Sequence, residues 1–464
     1  MVQPRLPLGD PHICSDAKDR ASLISAVYEA LVDIEGPGTY RPSLAEAWRT
    51  DRDASIWEFR LRRDALFHNT HQLNSDDVTT SLERVRSPKM GGILGTQGVY
   101  ASYLSDAKFE AINVDRVRVT LKEPMADLLD LLSAMPIVPE EVLDDLPEEH
   151  IGSGPYMVND FDESKVTMAA HPHHWRGKPT YRKLRWLAEP DEEERVKAVT
   201  HEANIATGLG PEGSKRAHAE GVPIESRLGS MCVIYMLNCL KGPCRDTRVR
   251  RALNLALDRE EIVDKIMYGC AEPLTGPLTP LHLGWDPDAP GYRHDPDEAR
   301  QLIRDAGYPD GLKLKMDTPT ESPDEAIPLS RMIAEQYKKA GIQTEIRVYR
   351  DRPNYAEMVR NKKIGDLCCF DSSPLSTFRV LREKIHSNRQ GPWWQGYSNP
   401  EVDALIDKAQ RTTDEEERRI TYRHAYNAIV ADAPWVFLYR PEYNWAVKQG
   451  SDWAPSWDCV VRIT

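Results

Sequence analysis

The pattern of apolar and polar positions changes period within residues 56–85, and each period predicts one element. Between residues 56 and 61 every second residue is apolar, which predicts a half-buried strand with one inward face made of Trp57, Phe59 and Leu61. The polar run Asn74-Ser75-Asp76-Asp77 then supplies a cap and early carboxylates for a helix. The apolar positions of that helix are Val78, Leu82 and Val85. We therefore predict a strand, loop and helix unit.

Helical and strand patterns alternate along the rest of the chain. Helices are predicted around 192–200, 247–267, 296–306 and 325–340, and strands around 231–238, 312–316 and 342–348. This order favours an α/β architecture. Proline and glycine cluster between residues 272 and 292, which predicts a long surface connection without a helix.

Length and charge narrow the class of protein. At 464 residues the chain exceeds the roughly 250–300 residues at which single cores stop growing, so we expect at least two lobes. A hydrophobic content of 40% and a charged content of 29% are typical of a folded globular chain. The net charge of −13, without a basic cluster interleaved with aromatic residues, argues against nucleic acid as a partner. No apolar run approaches the roughly 18–20 residues of a membrane span.

Charged residues crowd the start of the sequence, where a secretory signal would need an apolar run of about 7–15 residues. They are Arg5, Asp10, Asp16, Lys18, Asp19 and Arg20. We therefore expect no signal peptide within this sequence. Two localisations follow: periplasmic or lipid-anchored at the cell envelope if a signal was removed, or cytoplasmic if the protein stays where it is made.

The cysteines show no CxxC pair and imply no disulfide scaffold. The eight are Cys14, Cys232, Cys239, Cys244, Cys270, Cys368, Cys369 and Cys459. A turn at Gly242-Pro243 would bring the sulfur atoms of Cys239 and Cys244 together. The alternative for these two residues is a pair of buried free thiols.

No motif typical of catalysis or metal binding occurs in a supporting context. The motifs considered are a GxSxG elbow, HExxH, a Walker loop and a dinucleotide glycine fingerprint. Asp371-Ser372-Ser373 with His386 resembles a nucleophile and base, but loop hydroxyls more commonly bind ligand or backbone. His171-Pro172-His173-His174 brings three imidazoles together, yet Pro172 breaks the helical spacing that a metal site would use. We expect no enzyme, no metal and no organic cofactor.

A series of short motifs runs through most of the chain. The first half contains Tyr28-Glu29-Ala30-Leu31, Pro42-Ser43-Leu44-Ala45-Glu46-Ala47-Trp48, Trp57-Glu58-Phe59-Arg60-Leu61-Arg62, Phe67-His68, Ser75-Asp76-Asp77-Val78 and Gly152-Ser153-Gly154-Pro155-Tyr156. The second half contains Asp246-Thr247-Arg248-Val249-Arg250-Arg251-Ala252-Leu253-Asn254, Asp258-Arg259, Asp295-Pro296-Asp297-Glu298-Ala299-Arg300, Ala306-Gly307-Tyr308-Pro309 and Tyr397-Ser398-Asn399-Pro400-Glu401-Val402-Asp403. Together they resemble the family 5 bacterial extracellular solute-binding proteins, the group of dipeptide, oligopeptide, nickel and glutathione binders.

The resemblance implies a two-lobed periplasmic-binding-protein clamp, type II and cluster C-like, with an extra subdomain in the first lobe and the ligand in the interlobe cleft. Mapped onto this sequence, the first lobe takes 1–37, 151–237 and 441–464, the extra subdomain takes 38–150, and the second lobe takes 238–440. The implied crossings lie at Tyr235 to Asn238 and at Phe437 to Tyr443. Closure of the clamp around the ligand would signal occupancy to a membrane permease.

Residues 369–397 correspond to the segment with which the second lobe of this family reaches its ligand. Pockets combine aromatic walls with a few polar groups, and this segment contains both. The expected ligand-binding residues are Asp371, Ser372, Arg379, Trp393, Trp394 and Tyr397, with Tyr235 and Asn238 near the crossing and His12 and Asp16 in a loop of the first lobe. The alternative is structural: one tryptophan belongs to the core, and Arg379 pairs with Glu383.

The peptide binders of this family use an acidic residue in this segment for the peptide amine and an upstream arginine for its carboxylate. Here Asp371 is the acidic residue nearby, and Met358 stands at about the arginine position, with Arg352 and Arg360 as substitutes. The ligand class therefore stays open between peptide-like, opine-like, glycoside and related metabolites.

These inferences converge on the substrate-binding component of an ABC importer. We expect it to capture a small polar solute and to deliver it, as a monomer, to the permease subunits of the transporter. The alternative is a cytoplasmic protein of the same fold recruited to another role, such as an enzyme acting on a small metabolite.

Overall fold

The computed structural model describes residues 1–92, 96 and 98–463, and it divides the chain into two units. Unit 1 comprises Met1–Arg227 and Tyr443–Thr464, and unit 2 comprises Leu228–Glu442. The lobe boundaries expected from the sequence remain predictions.

Unit 1 contains two antiparallel sheets, one of two strands and one of four, and strands of a mixed sheet. Its helices are α1 (Lys18–Val27), α2 (Ser75–Val85), α3 (Val99–Leu104), α4 (Leu128–Leu132), α5 (Glu192–His201) and α6 (Pro211–Ala219). Its strands are β1 (Val2–Gln3), β2 (Val32–Gly36), β3 (Thr39–Pro42), β4 (Ala45–Thr50), β5 (Ile56–Leu61), β6 (Lys108–Asn113), β7 (Arg116–Thr120), β8 (Tyr156–Phe161), β9 (Lys165–Ala170), β10 (Lys183–Ala188), β11 (Ile205–Leu209) and β12 (Ile224–Leu228). β2 pairs with β3, and a second sheet has the order β4-β5-β7-β6.

Unit 2 follows in the chain with β13 (Cys232–Leu237), α7 (Thr247–Leu255), α8 (Arg259–Met267), β14 (Ala271–Pro273), α9 (Pro296–Asp305), β15 (Leu312–Pro319), α10 (Ala326–Lys339), β16 (Ile342–Tyr349), α11 (Arg352–Arg360), β17 (Leu367–Ser372), α12 (Thr377–Lys384), α13 (Pro400–Ala409), α14 (Glu415–Asp432) and β18 (Trp435–Val447). Its strands have the order β16-β15-β17-β13-β18, and β14 adds to β18. The last residues of β18 belong to unit 1, where they join β11, and the strand order there continues through β1, β10, β9 and β8.

The sheet of unit 2 combines parallel and antiparallel neighbours. β15 is parallel to both β16 and β17, whereas β13 is antiparallel to β17 and to β18. Apolar side chains on one face of β13 pack under the surrounding helices and form the core of this unit, with Val233, Tyr235 and Leu237 all buried. Burial of such side chains is the main driving force for the fold of each unit.

The strand and helix predicted for residues 56–85 are confirmed as β5 and α2. Trp57, Phe59 and Leu61 are buried on one face of β5. α2 begins at Ser75 because Asn74 accepts hydrogen bonds from two backbone amides of the first turn, while the backbone amide of Asn74 donates to Asp77 Oδ2 at 2.9 Å. Most of the later elements are also found near the predicted positions.

The single helix predicted for residues 247–267 is wrong, because the structure has two helices there. α7 ends at Leu255, and α8 starts anew where the carboxylate of Asp258 accepts a hydrogen bond from Glu261 N at 2.9 Å. Aspartate is favoured at the N-cap and disfavoured in a helix interior. Asp258 was therefore a sequence signal for the start of a second helix. The described residues between β14 and α9 form no helix or strand, as predicted for the connection around 272–292. Its predicted position on the surface is wrong, because Leu278 and Thr279 are 0% exposed and His282 is 3% exposed.

Candidate functional site

The carboxyl ends of β15, β16 and β17 lie at one edge of the unit 2 sheet, because the three strands run parallel to one another. In open sheets with parallel strands, ligands bind outside the carboxyl ends of the strands. β17 ends with Asp371 and Ser372, two of the residues expected from the sequence to contact ligand. The edge of this sheet is therefore where the candidate site is built.

Ser372 carries a buried hydroxyl without an internal partner. The residue is 1% exposed, and its Oγ makes no hydrogen bond with any part of the chain that the structure describes. Leaving a buried hydroxyl unsatisfied costs about 1–3 kcal/mol, so native structures rarely keep one without a use. This oxygen at the end of β17 is suited to contact a polar molecule bound at the sheet edge.

Arg352, the first residue of α11, lies beside Asp371. Its Nη2 is 3.9 Å from Asp371 Oδ2, and its Nε donates a 3.3 Å hydrogen bond to the carbonyl of Ser322. Its guanidinium lies over the rings of Phe370 and Tyr355, with the central carbon 5.3 and 5.7 Å from their centroids. The aromatic rings cover the flat face of the guanidinium, so its remaining N–H groups stay available for a planar acceptor.

Phe370 connects Arg352 to the tryptophans of the following segment. Its ring centroid lies 4.9 Å from that of Trp393, and the guanidinium of Arg360 lies 5.0 Å from the Trp393 centroid. Alternation along β17 places Phe370 and Ser372 on the same face of the strand. Phe370 is not among the ligand-binding residues expected from the sequence, although its period-two relation to Ser372 is readable there.

The other aromatic side chains of this segment are buried in contacts within unit 2. Trp394 Nε1 donates a 2.6 Å hydrogen bond to the carbonyl of Tyr397, and the Tyr397 hydroxyl donates to Asp432 at 2.7 Å. Burial, reinforced by the Asp432 carboxylate, raises the pKa of Tyr397. Trp394 and Tyr397 therefore fix the shape of the segment that carries Trp393.

Tyr235 and Asn238 direct their polar groups into unit 2. The Tyr235 hydroxyl lies 2.6 Å from Ser330 Oγ, and burial raises the pKa of this tyrosine. The Asn238 amide donates to the carbonyls of Ile364 and Gly365 at 3.2 and 2.8 Å. Both residues are fully buried, so their hydrogen bonds hold β13 and its connection in place.

The pairing offered above as the structural alternative for Arg379 is present. Its Nε donates a 3.0 Å hydrogen bond to Glu383 Oε1, one helical turn further along α12. Lys384, at the end of the same helix, donates from Nζ to the backbone carbonyl of Asp371 at 3.1 Å. α12 thus brings the ammonium of Lys384 to the end of β17.

The two candidates from the first lobe, His12 and Asp16, lie in a loop of unit 1. His12 Nε2 lies 3.0 Å from the carbonyl of Pro136, and Nδ1 lies 3.0 Å from Arg84 Nη1. Burial, with the charge of Arg84, lowers the pKa of His12 to about 4. Arg20 braces the loop by donating to the carbonyls of Pro7 and Leu8. Asp16 is half-buried in this braced loop.

His171 and His174, of the 171–174 run, belong to a network of largely buried side chains in unit 1, whereas His173 is exposed. His174 Nε2 lies 3.3 Å from Glu29 Oε1, and the His171 ring packs edge-on against His68 with centroids 5.1 Å apart. Within the described residues, no group of three or more histidine, cysteine or acidic side chains has the arrangement of a metal site. All eight cysteines are free thiols, including Cys239 and Cys244.

Comparison with known proteins decides what this scaffold is. The model of the family described as "Bacterial extracellular solute-binding proteins, family 5 Middle" matches residues 39–368. The chain belongs to this family. As a family 5 solute-binding protein it is a substrate-binding component of an ABC importer, which confirms the function expected from the sequence. The family and its relatives are transport proteins that bind substrates, and they give no support to the alternative role.

Relatives in this family bind different molecules. The chain is 28% identical over 440 residues to a probable di/tripeptide-binding protein of Pseudomonas aeruginosa, covering 88% of this chain and 82% of the relative. It is 25% identical over 480 residues to heme-binding protein A of Haemophilus influenzae, covering 93% and 85%. These relatives are about equally similar to the chain, so similarity alone does not select a ligand.

Solved structures of this family share the fold over nearly the whole chain. HbpA2 from Haemophilus parasuis matches with a TM-score of 0.83 at 20% identity, covering 99% of this chain and 98% of that one. MoaA from A. tumefacien R10, in complex with mannopinic acid, matches with a TM-score of 0.75 at 23% identity, covering 99% and 97%. The predicted fold class, an α/β periplasmic binding protein of this type, is confirmed. In the described part of the chain no helix has both the length and the apolar character needed to span a bilayer.

Proposed function

We propose that this family 5 solute-binding protein captures a small polar solute that carries a carboxylate or a comparable planar anionic group. The binding surface is the carboxyl edge of the unit 2 sheet, formed by Arg352, Asp371 and Ser372 with Phe370 and Trp393 beside them. The solute is then delivered to the permease of an ABC importer. Peptide-like and opine-like metabolites both fit this description.

The observation that carries the proposal is the hydrogen-bonding capacity that Ser372 and Arg352 keep at this edge. Among the described residues, Ser372 Oγ is buried without a hydrogen-bond partner, and Arg352 makes one hydrogen bond, at 3.3 Å. A guanidinium presents two parallel N–H groups to a carboxylate, and such pairs contribute more than neutral hydrogen bonds. Asp371, which lies 3.9 Å from Arg352, can accept from an ammonium or hydroxyl group on the same solute.

The names of the relatives supply candidates for the solute. Among the similar proteins are glutathione-binding proteins of Salmonella, a dipeptide-binding protein in complex with Met-Leu, and a binding protein in complex with agropinic acid. Each of these molecules carries at least one carboxylate. A neutral glycoside carries no carboxylate, so it serves as the negative control in a screen of ligands.

The test is a thermal-shift and calorimetric screen of the purified protein with Met-Leu, glutathione, mannopinic acid, agropinic acid and sucrose. A ligand present at 100 times its Kd should stabilise the protein by about 2.7 kcal/mol, since it binds the folded state alone. We expect saturable one-to-one binding by at least one carboxylate-bearing member and none by sucrose. Binding of sucrose without any carboxylate-bearing member would overturn the proposed solute class.

We also propose that the protein acts as a monomer outside the cytoplasmic membrane, in the periplasm or anchored to the envelope; family 5 solute-binding relatives are periplasmic or extracellular. A binding protein that must engage a permease is expected to expose its own surface and not to bury it in a dimer. Light scattering at micromolar concentration tests the monomer, and fractionation of cells that express the native gene tests the location. A dimer that survives dilution, or recovery of the protein in the cytosol, would contradict these two proposals.

A further inference from the structure

The segment that carries Trp393 is held against the body of unit 2 by backbone contacts from two helices. Trp393 N donates a 3.3 Å hydrogen bond to the carbonyl of Glu383 in α12, and Gln395 Nε2 donates a 2.8 Å bond to the carbonyl of Val359 in α11. Gly391 approaches α12 so closely that a Cβ atom there would lie 2.3 Å from the Glu383 carbonyl oxygen. The position of Trp393 therefore depends on how firmly residues 391 and 392 are held.

Lys362 holds these two residues directly. Its Nζ donates to the carbonyl of Gly391 at 3.0 Å and to that of Pro392 at 2.7 Å, immediately before Trp393. A surface lysine normally leaves its ammonium in water, because ordering the long side chain costs conformational entropy. Two consecutive carbonyls on one ammonium form a specific clamp on the chain.

The backbone of Lys362 supports the same conclusion. Its φ is 60°, in the left-handed region just after the end of α11, where glycine or asparagine is the usual residue. The amide of Lys362 donates to the carbonyl of Val359 at 3.0 Å, which closes the helix end and directs the side chain toward the segment. Arg360, two residues earlier, lies over the Trp393 ring, so the end of α11 contacts both the backbone and the indole of this segment.

We infer that Lys362 is a positioning residue, which clamps residues 391–392 and thereby fixes Trp393 against Phe370. The inference rests on the proposed function for the role of that surface in ligand recognition. The charged groups on the elements that meet here are Arg360 on α11, Glu383 on α12 with its partner Arg379, and Arg389 in the segment itself.

The clamp should depend on pH. Burial, followed by the charge of Arg360, lowers the pKa of Lys362 to about 8. The ammonium is therefore present at neutral pH and lost as the pH rises through about 8. A neutral amine makes weaker hydrogen bonds to carbonyls than an ammonium does. Trp393 should consequently change its environment over this pH range, even without ligand.

The experiment uses the full chain labelled with 5-fluorotryptophan and followed by ¹⁹F NMR from about pH 6 to about pH 10, a range that brackets the expected lysine titration. The Trp393 resonance is assigned by its loss in Trp393→Phe. In the wild type we expect this resonance to shift with a midpoint near 8. In Lys362→Arg, whose guanidinium stays charged, the shift should vanish while the resonance keeps its neutral-pH position. Lys363→Met, at the exposed neighbouring position, is the matched control and should titrate like the wild type.

A Lys362→Arg protein whose Trp393 resonance still titrates near 8 would overturn the inference. A Lys362→Met protein whose Trp393 resonance coincides with that of the wild type at neutral pH would also overturn it. Should Lys362→Met fail to fold, the arginine variant decides by itself. The measurement needs no ligand, so failure of the ligand panel would contradict the proposed function and leave this result standing. A missing titration would contradict the clamp and leave the proposed function standing.

Discussion

Arg352 and Asp371 form a loose ion pair at the carboxyl edge of the unit 2 sheet, with Nη2 and Oδ2 3.9 Å apart. This separation exceeds the roughly 2.7–2.9 Å of a charge-assisted hydrogen bond, so the guanidinium of Arg352 is not closed onto this carboxylate. Its N–H groups are therefore placed to donate to an acceptor on a bound solute.

Arg352→Ala should weaken binding of the carboxylate-bearing panel members by about 10- to 100-fold, since hydrogen bonds to charged groups contribute roughly 1.5–3 kcal/mol. Arg352→Lys should recover only part of this loss, because an ammonium lacks the planar pair of donors. Calorimetric titration measures both variants. Arg350→Ala removes an exposed arginine close by in the chain and should bind as the wild type does. Wild-type affinity in Arg352→Ala would exclude Arg352 from the site.

Ser372→Ala tests whether the serine hydroxyl contacts the ligand or stabilises the fold. In the ligand-free protein the hydroxyl has no partner within the described chain, so its removal should leave the free energy of unfolding unchanged or raise it by up to about 1 kcal/mol. If the solute bonds to this oxygen, its affinity should fall by about tenfold, the equivalent of one hydrogen bond of about 1.4 kcal/mol. Urea unfolding and calorimetry on the same preparation give the two values. A loss of stability with unchanged affinity would assign Ser372 a structural role.

Tyr235→Phe should destabilise the protein and leave ligand affinity unchanged. The variant loses the 2.6 Å contact of the tyrosine hydroxyl with Ser330 Oγ inside the core of unit 2. We expect a loss of about 1–2 kcal/mol in the free energy of unfolding, measured with urea. Tyr337→Phe is the matched control, because that buried hydroxyl has no hydrogen-bond partner among the described residues and its removal should be neutral or stabilising. Equal losses in the two variants would contradict this reasoning.

Acid should destabilise unit 1 through His68. Gly152 N donates to His68 Nδ1 at 3.2 Å, and His68 Nε2 lies 3.0 Å from the carbonyl of Gly154, an arrangement that suits the neutral ring. Burial is the main cause that lowers the pKa of His68 to about 4. The folded protein thus binds fewer protons here than the unfolded chain, whose histidines titrate near 6.5. The contribution of His68 to stability is therefore complete above about pH 6.5 and declines as the pH falls toward 4.

His68→Gln should consequently lose less stability than the wild type between pH 7 and pH 5, by about 1–2 kcal/mol of the roughly 3 kcal/mol that a shift of this size can contribute. Urea unfolding at the two pH values measures the difference. His173→Gln, at an exposed position of the same histidine-rich region, should show the pH dependence of the wild type. The same dependence in His68→Gln would assign the effect to other histidines, such as His12.

Gly391→Ala should disturb the Trp393 segment, because its Cβ would lie 2.3 Å from the carbonyl oxygen of Glu383 and the backbone must move apart. Overpacking of this kind costs about 1–3 kcal/mol. Gly36→Ala, where the nearest atom to the new Cβ lies at 3.9 Å, should change the free energy of unfolding much less. Thermal unfolding compares the two variants. Equal melting temperatures would show that the segment adapts without cost.

Part of the site was open to prediction from the sequence. The resemblance to family 5 solute-binding proteins pointed to the segment 369–397 as the expected site, and the sequence offered the pairing of Arg379 with Glu383 as the structural alternative for that arginine. The sequence left two arginines, Arg352 and Arg360, as substitutes for the one that peptide binders of the family use. The structure distinguishes them: Arg352 lies beside Asp371, whereas Arg360 lies over the ring of Trp393. Lys362 carried no sequence signal, since its contacts to Gly391 and Pro392 join positions 29 and 30 residues apart.

The amino-acid sequence by itself determined the local structure: Asn74 starts α2, alternation defines β5, and the ordered motifs mark a family 5 solute-binding protein. These features depend on neighbours within a few residues, where spacing and capping chemistry suffice. Only the tertiary structure decided which polar groups remain uncommitted. Tyr235 and Ser372 stand on paired strands, yet the hydroxyl of Tyr235 is bound within the core and that of Ser372 has no partner in the described chain. That difference arises from the side chains packed around each oxygen, and these come from distant parts of the sequence.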